Sequence, residues 1–327
     1  MAYQYLDFEK PIFELEKEIE ELKAYYPEGS KDINRLESKL NKLQKEILGR
    51  LTPWQITQLA RHPQRPFTLD YINAIFNDFI ELHGDRRFKD DPAIVGGIAA
   101  LDDQSVVVIG HQKGKTTRDK IYRNFGMSHP EGFRKASRLM QMAERFGLPL
   151  ITMIDTPGAF PGLGAEERGQ SEAIAVSLQT MASLKVPIVV VIIGEGGSGG
   201  ALALGVGDRV LMLEYAVYSV ISPEGCAAIL WKDRTKADLA ADALKLTSKN
   251  LLGFKIIDEI VKEPPGGVHK DNETAYKNVK EAVRKNLESL KGQPIDSLVE
   301  NRYKKFREMG RVRQLQQETD YRLSSGT

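Results

Sequence analysis

Five short runs rich in β-branched and other apolar residues, IVGGIAAL, SVVVIG, PLITMID, PIVVVIIG and RVLMLE, occupy the middle of this 327-residue chain. Stretches of helical periodicity, PEGFRKASRLMQMAERFG and AEERGQSEAIAVSLQTMASLK, lie between the later runs. Runs without apolar/polar alternation belong to strands covered on both faces, and the intervening helices supply the cover. The alternation therefore predicts an α/β fold.

Two of these runs hand over to glycine. In PIVVVIIGEGGSGGALALG five side chains are given up within seven residues, at Gly194, Gly196, Gly197, Gly199 and Gly200, before a small-residue apolar stretch resumes. In IDTPGAFPGLGAEERG a Gly/Pro loop follows a strand and precedes a helix. Without a Cβ the backbone can turn sharply and bring N–H groups against an electron-rich atom, and a helix N-terminus adds partial positive charge.

Three chemistries use such a turn. A phosphate cradle is weakly supported: GHQKGKT, residues 110–116, is one residue short of a P-loop and no helical pattern begins directly after it. A dinucleotide fingerprint would need Glu214 as its ribose acid, far from a first βαβ unit. A serine elbow has a literal G-x-S-x-G match around Ser198, with Asp258, Asp271 and His269 downstream, but His269 lies in EPPGGVHKDN, which reads as a flexible surface loop. The third chemistry is an oxyanion hole. Two consecutive strand, glycine loop, helix units predict two backbone nests side by side at one sheet edge, as stabilising a thioester enolate or a related oxyanion requires.

Ahead of the strands, apolar residues recur at Phe8, Ile12, Leu15, Ile19 and Leu22, and after PEGS at Ile33, Leu36, Leu40, Leu43 and Ile47. This spacing predicts two amphipathic helices folded into a hairpin over residues 1–50, too short to cover its own stripe and so expected on the main body or another chain. Leu69, Ile72, Phe76, Phe79 and Ile80 predict a further helix capped by Thr68. The last third reads as mostly helical, with a frayed tail.

Formal charge is +1, which gives no electrostatic reason to expect nucleic acid. The single cysteine, Cys226, rules out an internal disulfide framework and any Cys-based zinc site, fits a reducing cytoplasm, and reads as core. The opening residues lack a signal-peptide pattern and no apolar stretch reaches the roughly 18 residues of a membrane span. A cytoplasmic location is expected.

The segments DTPGAFPGLGAEERGQSEAIA, IGEGGSGGALALGVGD and YSVISPEGCAAILWKD, with ARHPQRPFTLDYI and FGMSHPEGFRKASRLMQMAERFG upstream, resemble the carboxyltransferase α subunit family of bacterial multisubunit acetyl-coenzyme A carboxylase. The resemblance runs from YLDFEKPI to about residue 265. It implies a crotonase-like (ClpP/crotonase) spiral of ββα units over residues 51–265, preceded by the helical hairpin and followed by a helical extension over 266–327. It further implies transfer of carboxylate from carboxybiotin, held on a separate biotin carboxyl carrier protein charged by biotin carboxylase, to acetyl-coenzyme A, giving malonyl-coenzyme A for fatty acid synthesis. The implied partner is a zinc-bearing β subunit in an α2β2 assembly, with no metal in this chain.

On that resemblance the N–H groups of Gly199 and Gly200 stabilise the biotin enolate, and the helix expected near Ala201 strengthens them. Gly196, Gly197 and Ser198 shape the substrate-binding turn, Ser198 attacking nothing. Gly158, Ala159 and Phe160 form the neighbouring wall, with a plain structural turn as the competing reading for Phe160. Glu166, Glu167 and Arg168 read as helix-capping charges. The basic residues Lys113, Lys115, Arg118, Lys120 and Arg123 are expected either to face anionic groups or to line a solvated loop.

Overall fold

The computed structural model describes residues 5–25 and 30–310. The Pro-Gly break expected at 27–29 and the tail from 311 onward lie outside the described residues. Helices α1 (Lys10–Lys23) and α2 (Lys31–Gly49) form the hairpin predicted from periodicity, Ser30 capping the second by accepting the Ile33 N–H. Ile12, Leu15, Ile19, Ile33 and Leu48 are buried. The hairpin docks on the body: Glu9, just before α1, meets His269 Nε2 at 2.9 Å, and Glu16 accepts from Lys270 at 2.6 Å.

Next come α3 (Pro53–Ala60) and α4 (Thr68–Ile75). Here the expectation of one helix through Ile80 fails. Phe67, not Thr68, is the N-cap residue, the Thr68 hydroxyl donates to the His111 carbonyl, and α4 ends at Ile75. Phe76 is already extended, and Asn77–Glu81 forms strand β1. The apolar spacing continues past the helix, but Asn77 and Asp78 are weak helix formers, and Asp78 takes a positive φ of 51°. The chain instead lies along β2 (Ile94–Leu101), where a Cβ on Gly97 would fall 1.9 Å from the Ile80 carbonyl oxygen.

β2 returns through a tight turn into β3 (Gln104–His111), followed by α5 (Thr117–Tyr122), α6 (Pro130–Phe146) and β4 (Leu150–Thr156). α5 corrects the expectation that no helix begins after residue 116. Its start is a capping box in which Thr116 and Asp119 satisfy each other's backbone N–H groups, a signal the basic composition obscures. α6 carries Pro at its first turn and ends at Gly147 in the left-handed region, φ 64°.

The chain continues through α7 (Leu163–Glu167), α8 (Gln170–Ser183), β5 (Ile188–Gly197), α9 (Ser198–Leu202), β6 (Arg209–Leu213), β7 (Val217–Ser219), α10 (Pro223–Trp231), α11 (Ala237–Leu244), α12 (Ser248–Gly253) and β8 (Glu259–Val261). It closes with α13 (Asn272–Leu290) and α14 (Ile295–Glu308).

Among the described residues the strands make one eight-stranded sheet in the order β1-β2-β3-β4-β5-β6-β8, with β7 added beside β5. The first two pairings are antiparallel and the rest parallel. Every residue of β4 and β5 is buried, α6 and α8 packing together on one side and α13 reaching β5. Uninterrupted apolar runs are what such two-sided cover selects. Arg302 of α14 is buried too, bonding Asp208 through two nitrogens and the carbonyls of Met181, Leu184 and Val186.

Candidate active site

β4 and β5 run side by side and parallel from Leu150↔Ile188 to Thr156↔Gly196, with a register shift between Ile154 and Thr156, and their C-terminal ends deliver the two predicted loops to one place. In the first loop the Thr156 hydroxyl accepts the Gly158 N–H (3.1 Å) and donates to the Gly158 carbonyl (2.7 Å), closing a tight turn. Phe160 donates its N–H to Ser128, and Gln170 donates to both the Ser128 and Phe160 carbonyls. The Phe160 ring lies 4.1 Å from the His129 ring, centroid to centroid. Its loop is thus fixed from several sides.

The second loop differs from expectation. β5 does not stop at the first glycine; it continues to Gly197, pairing Glu195, Gly196 and Gly197 with Val217, Tyr218 and Ser219 of β7. The helix begins at Ser198, three residues before the expected start, and is five residues long. Its brevity leaves little macrodipole, so any donor strength here belongs to individual N–H groups. By helix geometry the N–H groups of Gly199 and Gly200 lack intrahelical acceptors.

The glycines divide by role. A Cβ on Gly197 would lie 2.1 Å from the Pro157 carbonyl oxygen, and one on Gly200 would lie 2.5 Å from both Ala159 N and Gly158 C. The two loops therefore pack backbone on backbone, as only glycine permits. A Cβ on Gly199 would meet nothing closer than an Ile174 methyl at 3.6 Å. Ser198, with φ 54°, and Gly199 instead reach a cavity of about 320 Å³ walled by Leu202, Tyr218, Val220 and Leu251. Gly158, Ala159 and Phe160 do not line this cavity, and neither do Gly196, Gly197 and Gly200; a Cβ on Gly158 would lie 3.8 Å from that of Ser198.

His111 ends β3 under this turn. Burial pushes its imidazole down to about 3; the nearby Gly200 and Met153 backbones pull the other way, yet neither ring nitrogen has a partner at hydrogen-bond geometry. It is a neutral wedge between β3 and the turn, hidden in the sequence inside the motif read as a failed P-loop.

The serine-elbow expectation finds no supporting geometry. His269 is buried, with Glu9 as its hydrogen-bond partner and the tilted His62 ring 4.1 Å away, centroid to centroid, so the flexible-loop reading is wrong. Glu263 is the cause: it ties Arg65, the Tyr215 N–H and the Val268 N–H together and pulls the glycine-rich loop inward. Asp271 caps α13 through the Thr274 N–H, and Asp258 accepts from the Val210 N–H. All three triad candidates serve structure.

Glu9, His62 and His269 hold ligand-type atoms within 4.8 Å of one another. His62 Nδ1, however, accepts the Gln64 N–H, which leaves the proton of the neutral ring on Nε2 and removes the lone pair a metal would need. Cys226 packs with Ala227 and Ala240. Glu166 and Glu167 are exposed, and Arg168 pairs with Glu131. Of the basic segment, Lys113 is turned inward to Asp155 (2.7 Å) and Glu195 (3.7 Å), Lys115 pairs with Asp70, and Arg123 donates to the Pro92 carbonyl.

The family model described as acetyl co-enzyme A carboxylase carboxyltransferase-like matches residues 5–310. The acetyl-coenzyme A carboxylase carboxyl transferase subunit alpha of Geobacter metallireducens is 61% identical over 315 residues, covering 95% of this chain and 99% of that protein. Its Thermus thermophilus counterpart is 59% identical over 309 residues, covering 93% and 98%. Among solved structures, the transcarboxylase 12S core with methylmalonyl-coenzyme A bound superposes with a TM-score of 0.56 at 20% identity, over 69% of this chain and 42% of that one. A Pseudomonas malonate decarboxylase hetero-tetramer in complex with coenzyme A gives 0.55 at 16% identity, over 66% and 86%. These likenesses show the crotonase-like α/β fold expected from the sequence.

Proposed function

The chain belongs to the acetyl co-enzyme A carboxylase carboxyltransferase family, and from that premise we propose that the turn at residues 197–200 stabilises the anion formed during carboxyl transfer. The chain is the alpha-type subunit of a biotin-dependent carboxyltransferase that acts on acetyl-coenzyme A in fatty acid synthesis, and such a subunit works with a beta subunit. The finer assignments below are our reading.

The supporting observation is Gly199 at the mouth of an apolar cavity, its loop held rigid by backbone packing against residues 157–159. Carboxybiotin reaches the subunit as a substrate on a separate carrier protein. Leu202, Tyr218, Val220 and Leu251 suit the apolar side of its fused rings, and the Gly199 and Gly200 N–H groups suit the urea oxygen that turns anionic as carboxylate departs. Preorganised donors in a water-poor site need no side-chain base, which explains glycine where a hydrolase would place histidine. Ser198 gives the turn its left-handed residue.

The apolar side chains Val220, at the cavity wall, and Ile229 and Leu230, in the last turn of α10, are 80%, 70% and 62% accessible. We assign them to the beta subunit, which closes the cavity, carries the zinc and holds most of the coenzyme A in an α2β2 enzyme. The reading places the enzyme in the cytoplasm and gives the hairpin, residues 1–50, a role in assembly. No helix among the described residues is long and apolar enough to cross a membrane.

Malonyl-coenzyme A formation by the chain reconstituted with its beta subunit tests the assignment. Gly199→Val is expected to lower kcat by at least about 10²-fold while the enzyme still assembles, because it blocks the turn without meeting backbone. An assembled Gly199→Val enzyme with normal turnover refutes it.

A further inference from the structure

Behind the two loops lies a cluster of charges that neither chemistry nor sequence pattern calls for. Asp155 sits on β4, three residues before Gly158, and Glu195 on β5, four residues before Gly199. Their side chains are 4% and 9% exposed. Asp155 Oδ1 accepts the Glu195 N–H at 3.0 Å, so one carboxylate already links the two strand ends. Two carboxylates this buried, so near a turn proposed to hold an anion, oppose that anion unless each is matched.

Each has its match. Arg61 donates Nε and Nη2 to Glu195 Oε1 at 2.9 and 2.7 Å, and reaches outward to Glu224, whose side chain is 36% exposed. Lys113 lies 2.7 Å from Asp155 Oδ1 and 3.7 Å from Glu195 Oε2. Its stem is held in place: a Cβ on Gly126 would lie 2.8 Å from Lys113 Cγ and 3.2 Å from the Asp155 carbonyl oxygen. Arg65, the other cation near Asp155, is occupied by a two-pronged pair with Glu263. So Lys113 is the cation that bonds Asp155 directly, among the described residues.

We infer that Lys113 is a positioning residue for the oxyanion turn: its ammonium ties the ends of β4 and β5 and cancels the Asp155 carboxylate behind the site. The inference rests on the proposed reading of that turn. It also gives a role to the GHQKGKT motif: Lys113 points into the protein, while Lys115 is an exposed partner of Asp70. Asp155 stands three residues before Gly158, a separation of at most about 10 Å along the chain. At that range and an effective dielectric of about 20, one uncancelled charge changes a rate on the order of tenfold.

The test uses the assembled two-subunit enzyme, with kcat and the acetyl-coenzyme A KM measured separately and melting temperature recorded. Lys113→Met is expected to lower kcat about tenfold or more with KM changed less than about twofold, the pattern of an interaction felt in the transition state. Lys113→Arg should recover most of that loss. The decisive variant is Lys113→Met with Asp155→Asn, which removes both charges yet keeps an oxygen to accept the Glu195 N–H. It should regain most of the lost kcat, a non-additivity a mere strut would not produce. If the single variant fails to assemble, the double variant, leaving no unpaired charge, should assemble and stay within about tenfold of the parent.

A Lys113→Met enzyme with unchanged kcat, or a double variant no better than the single, overturns the inference. Gly199→Val separates the two levels. Normal turnover in that variant sinks the site itself, whereas an inactive Gly199→Val beside an unaffected Lys113→Met sinks the role of Lys113 alone.

Discussion

Gly199 and Gly200 are adjacent and share a sequence motif, yet alanine should do opposite things at the two positions. At Gly200 the added methyl lands 2.5 Å from Ala159 N and Gly158 C and 2.9 Å from Gly158 O. All three are backbone atoms of a loop already fixed by Thr156, so no flexible side chain can yield. Overpacking of this kind destabilises by roughly 1 to 3 kcal/mol. At about 2 °C per kcal/mol for a chain of this size class, the melting temperature should fall by roughly 2 to 6 °C. At Gly199 the methyl meets only an Ile174 methyl at 3.6 Å, an ordinary contact. Gly→Ala there replaces a poor helix former in the first turn of a helix, and the change should be neutral or stabilising by up to about 1 kcal/mol. Differential scanning calorimetry of the purified chain gives both shifts, and carboxyl transfer after assembly gives the functional half. Gly199→Ala should keep its stability and lose activity, while Gly200→Ala should lose stability first. Equal melting temperatures for Gly200→Ala and the parent would refute the claim that close approach fixes glycine there.

Three further outcomes follow from the same geometry. A fluorophosphonate should leave Ser198 unlabelled, since His269 and both aspartates of the imagined triad are otherwise engaged, and Ser198→Ala should keep a substantial part of the carboxyl-transfer rate; stoichiometric labelling measured by mass spectrometry contradicts this. Deleting residues 1–48 removes Glu9 and Glu16 from His269 and Lys270, so solubility or assembly should suffer while the glycine turn survives; normal assembly of the truncated chain speaks against it. Burial pushes the Asp90 carboxyl up, but Lys135 and the Gly84 N–H outweigh it and hold the group down at about 2. A depressed carboxyl stabilises fully above its unfolded value near 4 and loses that contribution as pH falls toward 2. Asp90→Asn should therefore flatten the decline of stability between about pH 4 and 2, and identical slopes in urea titrations would contradict the assignment.

The strands of the middle of the chain are legible because burial on both faces leaves a one-dimensional trace: β2 through β6 each coincide with an apolar run. The hairpin is legible for the same reason at helical period. β1 is not, because Phe76, Phe79 and Ile80 keep the spacing of α4 after the backbone has turned, and the cue is a pairing with Gly97 rather than any local signal. At the site, the presence of two glycine loops could be read, but not how the glycines divide. Gly197 and Gly200 serve contact with residues 157–159, some 40 positions earlier, while Gly199 faces a cavity whose walls include Val220 and Leu251. The charge lattice is further out of reach: Arg61 and Glu195 are 134 positions apart, and each looks like any surface residue in the sequence. The burial of His269 was concealed likewise, since its loop composition favours solvent and only Glu9 and Glu263 draw it in.

Arg302 gives the fold a schedule. The carbonyls of Met181, Leu184 and Val186 and the carboxylate of Asp208 all await a guanidinium that lies 94 to 121 positions later. At about 5 to 20 residues per second, the 94 residues separating Asp208 from Arg302 take on the order of 5 to 20 s to synthesise. During that interval the entry to β5 carries acceptors that the interior cannot leave unpaired, so water has to remain there and the sheet cannot dry at that end. The nascent chain can therefore complete its glycine turn long before it can seal the base of the strand that presents it, and α14 acts as the last latch of the domain.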